Sequence, residues 1–242
     1  MNTPVVERVD DIYVVREDLV NGGTKSRFLH LQFKGCDEVV YGSSFCGGGQ
    51  TALALTAQRL GKRCTIFTAA RAEKHPRQVE AMALGARYEW IRPGYQSVIE
   101  CRAKDYCQRS GARMAPFGLR VDGYQEIVAE AASSTKCRPD FVWVAAGSGS
   151  LAHGLHKAWP HSQFRLVEVG AKLDPVEFGW AEIHTYPKKY GWAAPSTVAP
   201  FSSDRHYELK CFDMLKQWQP KHKKAMTLFW MRIPAIADRV SD

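Results

Sequence analysis

One lysine stands two residues past a glycine pair in Asn21-Gly22-Gly23-Thr24-Lys25-Ser26-Arg27-Phe28. Glycine reaches backbone angles closed to other residues, so Gly22-Gly23 reads as a turn, and a helix carrying Phe28, Leu29 and Leu31 is expected after it. Position alone leaves two readings of Lys25 open. It is an ordinary solvated lysine on a first turn, or an amine that desolvation makes nucleophilic enough to condense with an aldehyde. The stretch Gly147-Ser148-Gly149-Ser150-Leu151, between a strand-like and a helix-like segment, has a different chemistry. Small residues let backbone N–H groups converge at the positive end of a helix dipole, and serine hydroxyls add donors, which suits an anion; the alternative is a plain tight turn. Dinucleotide-type spaced glycines and a nucleotide-type Gly-Lys-Ser/Thr are both missing, so a single phosphate fits better than NAD or ATP. In Gly47-Gly48-Gly49-Gln50, three glycines give either a flexible connection or a close approach of a flat ligand to the backbone.

The elements that must position these residues alternate. Strands are expected over 13–15, 38–42, 64–68, 87–91, 113–117, 141–146 and 226–231, and helices over 50–60, 76–84, 97–110, 122–133, 151–159 and 204–218. Gly61 and Gly85 read as helix stops and Asp204 as an N-cap. Such alternation with short turns predicts an α/β fold with parallel-rich sheets covered by helices. Four prolines, Pro175, Pro187, Pro195 and Pro200, break residues 170–203 into loops and short strands, where α/β proteins commonly build a site.

A chain of 242 residues with 45% hydrophobic and 24% charged residues has the composition of a globular protein with a sizeable core. No apolar run approaches the length of a membrane span, and residues 1–11 lack a basic-then-apolar signal pattern. The seven cysteines are odd in number, scattered and without a Cys-x-x-Cys pair, and the eight histidines show no metal spacing, so no metal site is expected and a cytoplasmic location is. Cys46 reads as a structural thiol, and Arg71, Lys74, His75 and Arg77 as a solvated helix start. A net charge of +8 points weakly to a polyanionic partner.

Arg16-Glu17-Asp18-Leu19, a short gap and Gly22-Gly23-Thr24-Lys25-Ser26-Arg27 resemble the Schiff-base segment of fold-type-II pyridoxal phosphate enzymes, the tryptophan synthase β-like superfamily. The branch they are most similar to is that of aminocyclopropane-carboxylate deaminase and D-cysteine desulfhydrase, with Gly-Gly-Asn-Lys at this place. The resemblance runs from about Val14 to Val169 and thinly to Trp230. It implies pyridoxal 5′-phosphate as cofactor, held by Lys25 as a Schiff base. It also implies that Gly147, Ser148, Gly149, Ser150 and Leu151 cradle the phosphate, as a variant of the family's Gly-Ser-Gly-Gly-Thr loop, and that Gln50 replaces the asparagine beside the ring oxygen. Gly49 stands where the deaminase branch has a substrate-binding serine, which gives a bulkier substrate room. Lys189-Tyr190-Gly191-Trp192-Ala193-Ala194-Pro195-Ser196 is similar to the branch's Tyr-Gly-x-Pro-Ser segment, making Tyr190 a candidate for stacking or proton transfer. Met231, near the family's pyridine-nitrogen partner, cannot donate or accept well, which weakens electron withdrawal by the ring.

Two lobes are implied, a small α/β lobe over 44–120 and a large cofactor-binding lobe from 1–43 and 121–242, with a trimmed large lobe or a compensating homodimer expected for a chain short for that group. The chain is also similar to small bacteriophage members of the family associated with amino-acid-derived modification of thymine in DNA. The function expected is that of a lyase, a decarboxylase or elimination enzyme, acting at the α-carbon of an amino acid carried on thymine in phage DNA, in the host cytoplasm. Duplex DNA as partner is supported by Lys188, Lys189, Lys210, Lys216, Lys221, Lys223, Lys224 and Arg232, interleaved with Tyr190, Trp192, Trp218 and Trp230. Two alternatives stand beside it: a deaminase or desulfhydrase of a free small amino acid, and a non-catalytic nucleic-acid-binding protein.

Overall fold

The structure is a computed structural model that describes residues 2–188, 192–195, 199–219, 225–232 and 234. Tyr190, Lys189, Lys221, Lys223 and Lys224 lie outside the described residues. In chain order, β1 (Val6–Val9) and β2 (Ile12–Arg16) are followed by 3-10 turns over Glu17–Leu19, Thr24–Arg27 and Leu29–Phe33. Next come β3 (Glu38–Gly42), α1 (Gly49–Leu60), β4 (Arg63–Ala69), α2 (Pro76–Ala83), β5 (Arg87–Ile91), α3 (Gln96–Ser110) and β6 (Arg113–Ala115). After a 3-10 turn at Phe117–Leu119, the chain continues through α4 (Tyr124–Ser134), β7 (Phe141–Ala146), α5 (Ser150–Ala158), β8 (Gln163–Glu168), β9 (Ala181–Thr185), α6 (Glu208–Trp218) and β10 (Thr227–Met231).

Two compact units result, one from Met1–Val20 with Tyr124–Asp242 and the other Asn21–Gly123. The first holds a six-stranded sheet in the order β1-β2-β10-β7-β8-β9. Its one antiparallel pair is β1 with β2, and the other neighbours run parallel. Strands β7 and β10 are almost wholly buried, as expected for parallel strands covered on both faces, which is why both read as unbroken apolar runs. Residues at spacing two (Ile12 and Val14, Trp143 and Ala145, Phe229 and Met231) join Leu209, Phe212 and Leu215 of α6 in one core. Each fully buried large apolar side chain there contributes about 1.5–3 kcal/mol.

The second unit holds a four-stranded, all-parallel sheet in the order β5-β4-β3-β6. Helix α3 covers part of it through Ile99 and Ala103, packed with Val40 and Phe67. Residues 21–43, expected with the large lobe, fall in this unit together with 44–120. The reason is pairing: β3 hydrogen-bonds to β4 on one side and β6 on the other, so the strand cannot be separated from the helix that follows it.

Local signals account for most boundaries. Gly61, at φ +62°, ends α1, and Gly111, at φ +73°, ends α3, both in the left-handed region that favours glycine. His75 caps α2, its ring nitrogen accepting from the Arg77 N–H while the Gln78 side chain accepts from the His75 N–H, with Pro76 in the first turn. The supposedly solvated basic run is therefore partly structural, and Arg77 is only 2% exposed. The helix expected directly after Lys25 is instead a pair of 3-10 turns. Helix α6 starts at Glu208, not near Asp204; the Asp204 carbonyl accepts from Tyr207 and Leu209 N–H and its carboxylate from His206 N–H, shaping the turn before the helix.

Helices α4 and α5 meet at Gly154, where an added Cβ would lie 2.5 Å from Val128 Cβ. Gly154→Ala is expected to lower stability by about 1–3 kcal/mol through overpacking. Urea unfolding of Gly154→Ala alone and combined with Val128→Ala checks it, since the second change should restore part of the loss.

Candidate active site

In the second unit, Gly22 at φ +83° and Gly23 at φ +65° set the turn before Lys25. A side chain at Gly22 would also press on Ser26 and on Leu55 of α1, so the turn is fixed against that helix. Lys25 is half-buried, and its Nζ donates to the Gly118 carbonyl at 2.7 Å. Gly118, at φ +78°, belongs to the turn that leaves β6. Gln32 donates to the Leu119 and Arg120 carbonyls of the same turn. The lysine is thus oriented from both ends, by its own glycine turn and by the exit of a strand.

The glycine-rich connection from β3 to α1 is tightly packed. Gln50 is fully buried: its Nε2 donates to the Phe45 carbonyl at 3.0 Å and its Oε1 accepts from the Tyr88 hydroxyl at 2.7 Å. Contact of Gln50 with a cofactor ring would require these bonds to be exchanged. Gly49 does not open space for a bulkier substrate, because a Cβ there would lie 2.9 Å from Leu119 Cδ1 and 3.4 Å from the Tyr41 ring. Cys46 is buried, as a structural thiol would be. At the C-terminal end of β4, the Arg71 guanidinium lies 3.7 Å over the Phe45 ring, and His75 meets that ring edge-on at 5.6 Å.

In the first unit, β7 ends at Ala146 and α5 begins at Ser150. Gly149, at φ +71°, makes the turn, and an added Cβ would fall 2.0 Å from Phe178 Cζ. A Cβ at Gly147 would fall 2.7 Å from the Tyr207 hydroxyl oxygen. Phe178 and Tyr207 thus hold the backbone of this turn in place. The Ser148 and Ser150 hydroxyls lie 2.9 Å apart, Ser150 is buried, and Leu151 is half-buried in the first turn of α5. Arg232, directly after β10, stacks 3.5 Å over the Tyr207 ring and donates from Nε to Glu208 Oε1 at 2.9 Å. Burial pushes the Tyr207 phenol up from its ordinary pKa, against the opposing pull of the Arg232 cation. Two hydroxyls, the glycines at 147 and 149 and a helix N-terminus make a donor set suited to a phosphate monoester.

Lys25 and Gln50 therefore share one unit, while Gly147, Ser148, Gly149, Ser150 and Leu151 are brought together in the other. Gly118, Phe178 and Tyr207 were not singled out from the sequence, and Arg232 was singled out only as one of the basic residues of the last third. Their roles depend on contacts distant along the chain, and only Arg232, directly after the last strand, had a local signal. Among the described residues, no group of acidic, histidine and cysteine side chains is placed to hold a metal ion, and all seven cysteines are free. No helix among them is long and apolar enough to cross a membrane.

The fold defines the class. A structure described as an ACC deaminase homologue superposes with a TM-score of 0.84 at 16% identity, over 98% of this chain and 90% of the other. The processed form of threonine deaminase isoform 2 from Solanum lycopersicum superposes at 0.72 with 13% identity, over 98% and 80%. Diaminopropionate ammonia lyase of Escherichia coli gives 0.70 at 14% identity, over 97% and 83%. At these identities the likeness shows the fold, that of fold-type-II pyridoxal phosphate enzymes. Residues 10–201 match the family described as pyridoxal-phosphate dependent enzyme, and the chain belongs to that family. Its cofactor is pyridoxal 5′-phosphate. No curated protein sequence matches the chain.

Borohydride reduction of the protein loaded with pyridoxal 5′-phosphate is expected to leave the pyridoxyl group on Lys25, read by peptide mapping, and Lys25→Ala should lose the visible absorption band. The group on any other lysine would overturn the assignment. Gly149→Ala, strained by its positive φ and by Phe178, should weaken cofactor retention at least tenfold, and Ser148→Asp should oppose the phosphate by like charge. Equilibrium dialysis of the folded variants measures both, and parental affinity in both would reduce the loop to a plain turn.

Proposed function

We propose that the chain is a lyase acting at the α-carbon of an amino acid, with Lys25 as the residue that holds the cofactor and moves the proton. One observation carries this reading: the Lys25 ammonium, in a chain of this family, is held by a backbone carbonyl at 2.7 Å at the exit of a parallel strand. When bound, pyridoxal 5′-phosphate supplies an electron sink for the bond broken at the α-carbon. Lys25, once released, is the nearest acid–base group, and the Gly118 carbonyl orients its protons. The turn at 147–150 takes the phosphate through backbone N–H groups and the Ser148 and Ser150 hydroxyls.

The substrate proposed is an amino acid carried on thymine in duplex DNA, from which carbon dioxide is lost. The net charge of +8 supports it, as does the pairing of Arg71 with Phe45 at the C-terminal end of the parallel sheet, where Lys74 and Arg92 are also exposed. An aromatic ring beside cations suits a base next to a phosphate. The support from the C-terminal third is smaller than the sequence implies: Lys210 is fully buried, Lys216 bonds to Asp10 at 2.5 Å and Arg232 to Glu208 at 2.9 Å. A second reading, elimination of ammonia from a free small amino acid, is favoured by similar structures described as a deaminase and an ammonia lyase.

Duplex DNA should bind with an affinity that falls linearly with salt on logarithmic axes. Arg71→Glu, and charge reversal at Lys221, Lys223 and Lys224, should each weaken binding without changing the cofactor spectrum. Mass spectrometry of digested modified DNA should show loss of carbon dioxide. Efficient turnover of free serine or D-cysteine, with no DNA binding at low salt, would overturn the DNA reading and leave the second.

A further inference from the structure

Strand β5, Arg87-Tyr88-Glu89-Trp90-Ile91, ends one side of the four-stranded sheet, and among the described residues no strand pairs with its outer side. The opposite edge, β6, has three residues and is followed at once by Pro116, which blunts it, whereas β5 has five residues and no proline. The two faces of β5 differ in chemistry. Tyr88 and Trp90 lie on the side of α1, where the Tyr88 hydroxyl donates to Gln50, and their rings stack at 5.0 Å. Trp90 is nonetheless 39% exposed, and α2, which the Thr51 hydroxyl ties to α1 on the same side, leaves Val79 and Met82 exposed as well. Arg87 and Glu89 lie on the other side, toward α3. They pair with each other at 2.5 Å, and the Arg87 guanidinium sits 6.0 Å over the Tyr106 ring.

Backbone direction decides how such an edge can be extended. In a parallel pair, alternate residues turn both N–H and C=O toward the neighbouring strand. The Ile91 carbonyl accepts from the Ala70 N–H, so Ile91, Glu89 and Arg87 face β4, and Tyr88 and Trp90 present their backbone groups outward. An antiparallel copy of β5 must bond through those two residues, which leaves three two-fold registers. Centring on Glu89 sets two carboxylates directly opposite each other, which is destabilising. Centring on Trp90 leaves Glu89 opposite the partner's Ile91, with no charge to meet. Centring on Tyr88 sets Arg87 opposite the partner's Glu89, twice over, and covers Trp90 with the partner's Ala86 and the partner's Tyr88. Each charge then has two opposite neighbours, one on its own strand and one across the pair, in an alternating ring. We infer that a second copy of this chain docks on the outer side of β5, antiparallel and two-fold about Tyr88, so that two four-stranded sheets join into one. Charge complementarity selects the occupant, since a strand presenting Arg-x-Glu is complementary to itself when reversed. The surface does not depend on which bond the enzyme breaks.

Sedimentation velocity of the full chain saturated with pyridoxal 5′-phosphate, over a series of protein concentrations, tests the surface. The parent should be a dimer. Arg87→Glu and Glu89→Arg should each raise the dimer dissociation constant by about tenfold or more, because each sets like charges opposite each other at two places. The thermal unfolding midpoint and the cofactor spectrum should stay at parental values, since the exposed pair within one strand contributes little to folding. Mixed in equal amounts, the two variants should dimerise as tightly as the parent, because the acidic strand of one then faces the basic strand of the other. A chain carrying both substitutions should be a dimer for the same reason. A parent that stays monomeric throughout the series, or single variants as tightly dimeric as the parent, would overturn the surface. Single variants that dissociate and fail to associate on mixing would overturn the register centred on Tyr88.

Discussion

The hydrogen bond from Lys25 Nζ to the Gly118 carbonyl joins segments 93 residues apart, and much of the second unit has to be in place for it to form. Gly118 reaches its position only because β6 pairs with β3, in the register Val39↔Arg113 to Tyr41↔Ala115. Lys25 reaches its own only because Gly22 and Gly23 adopt positive φ and pack on α1. A flexible lysine loses up to about 2 kcal/mol of side-chain entropy when it is held in one geometry. A carbonyl acceptor supplied by a rigid strand exit offsets that cost, whereas a mobile loop would have to be ordered as well. The placing of the Lys25 amine is thus a product of tertiary pairing, and the glycine turn before it supplies only half of its restraint.

Each unit follows the same constraint. Parallel strands need crossovers, and the turns that leave their C-terminal ends are where backbone N–H groups and short side chains come free of the ladder. Residues 43–48 leave β3, Arg71 follows β4, the 147–149 turn leaves β7, and Glu168 ends β8 bonded to Lys172. Packing behind these turns is what separates them from ordinary connections. Phe178 and Tyr207 occupy the space that side chains at Gly149 and Gly147 would need, so both positions are restricted to glycine.

Strands whose apolar residues are continuous were legible from the sequence. Residues 38–42 and 141–146 are strands over those very spans, because burial on both faces removes polar interruptions, and the partly exposed edge strand 87–91 also keeps its expected span. Glycine stops set the ends of α1 and α3. Strands β1, β8 and β9 were not singled out, since Arg8, Arg165 and Glu182 break their apolar pattern. Arg165 is tolerated there because it pairs with Glu182 on the neighbouring strand and stacks 4.8 Å from the Trp218 ring. The turns at Gly22-Gly23 and at Gly149 were legible from glycine spacing. Their supports were not, because Gly118 and Tyr207 lie far along the chain from the residues they hold, and a 3-10 turn after Lys25 has no sequence signal that separates it from an α-helix start.

Charge was the least legible property. The sequence places a basic cluster in its last third, but a formal charge becomes surface potential only when it is neither paired nor buried. Lys210 lies in the interior, and Lys216 and Arg232 each meet a carboxylate. The second unit reverses this. Arg71, Lys74 and Arg92 follow strand ends, are exposed, and lie at the edge of a sheet whose parallel strands all point their C-termini the same way. Cations collected at such an edge act on one approaching ligand together, whereas the same number scattered over a surface is screened within about 8 Å at physiological ionic strength. The polyanion reading therefore rests on how the parallel sheet gathers charge, with Phe45 under Arg71 as the aromatic surface among those cations, more than on the net excess of lysine and arginine.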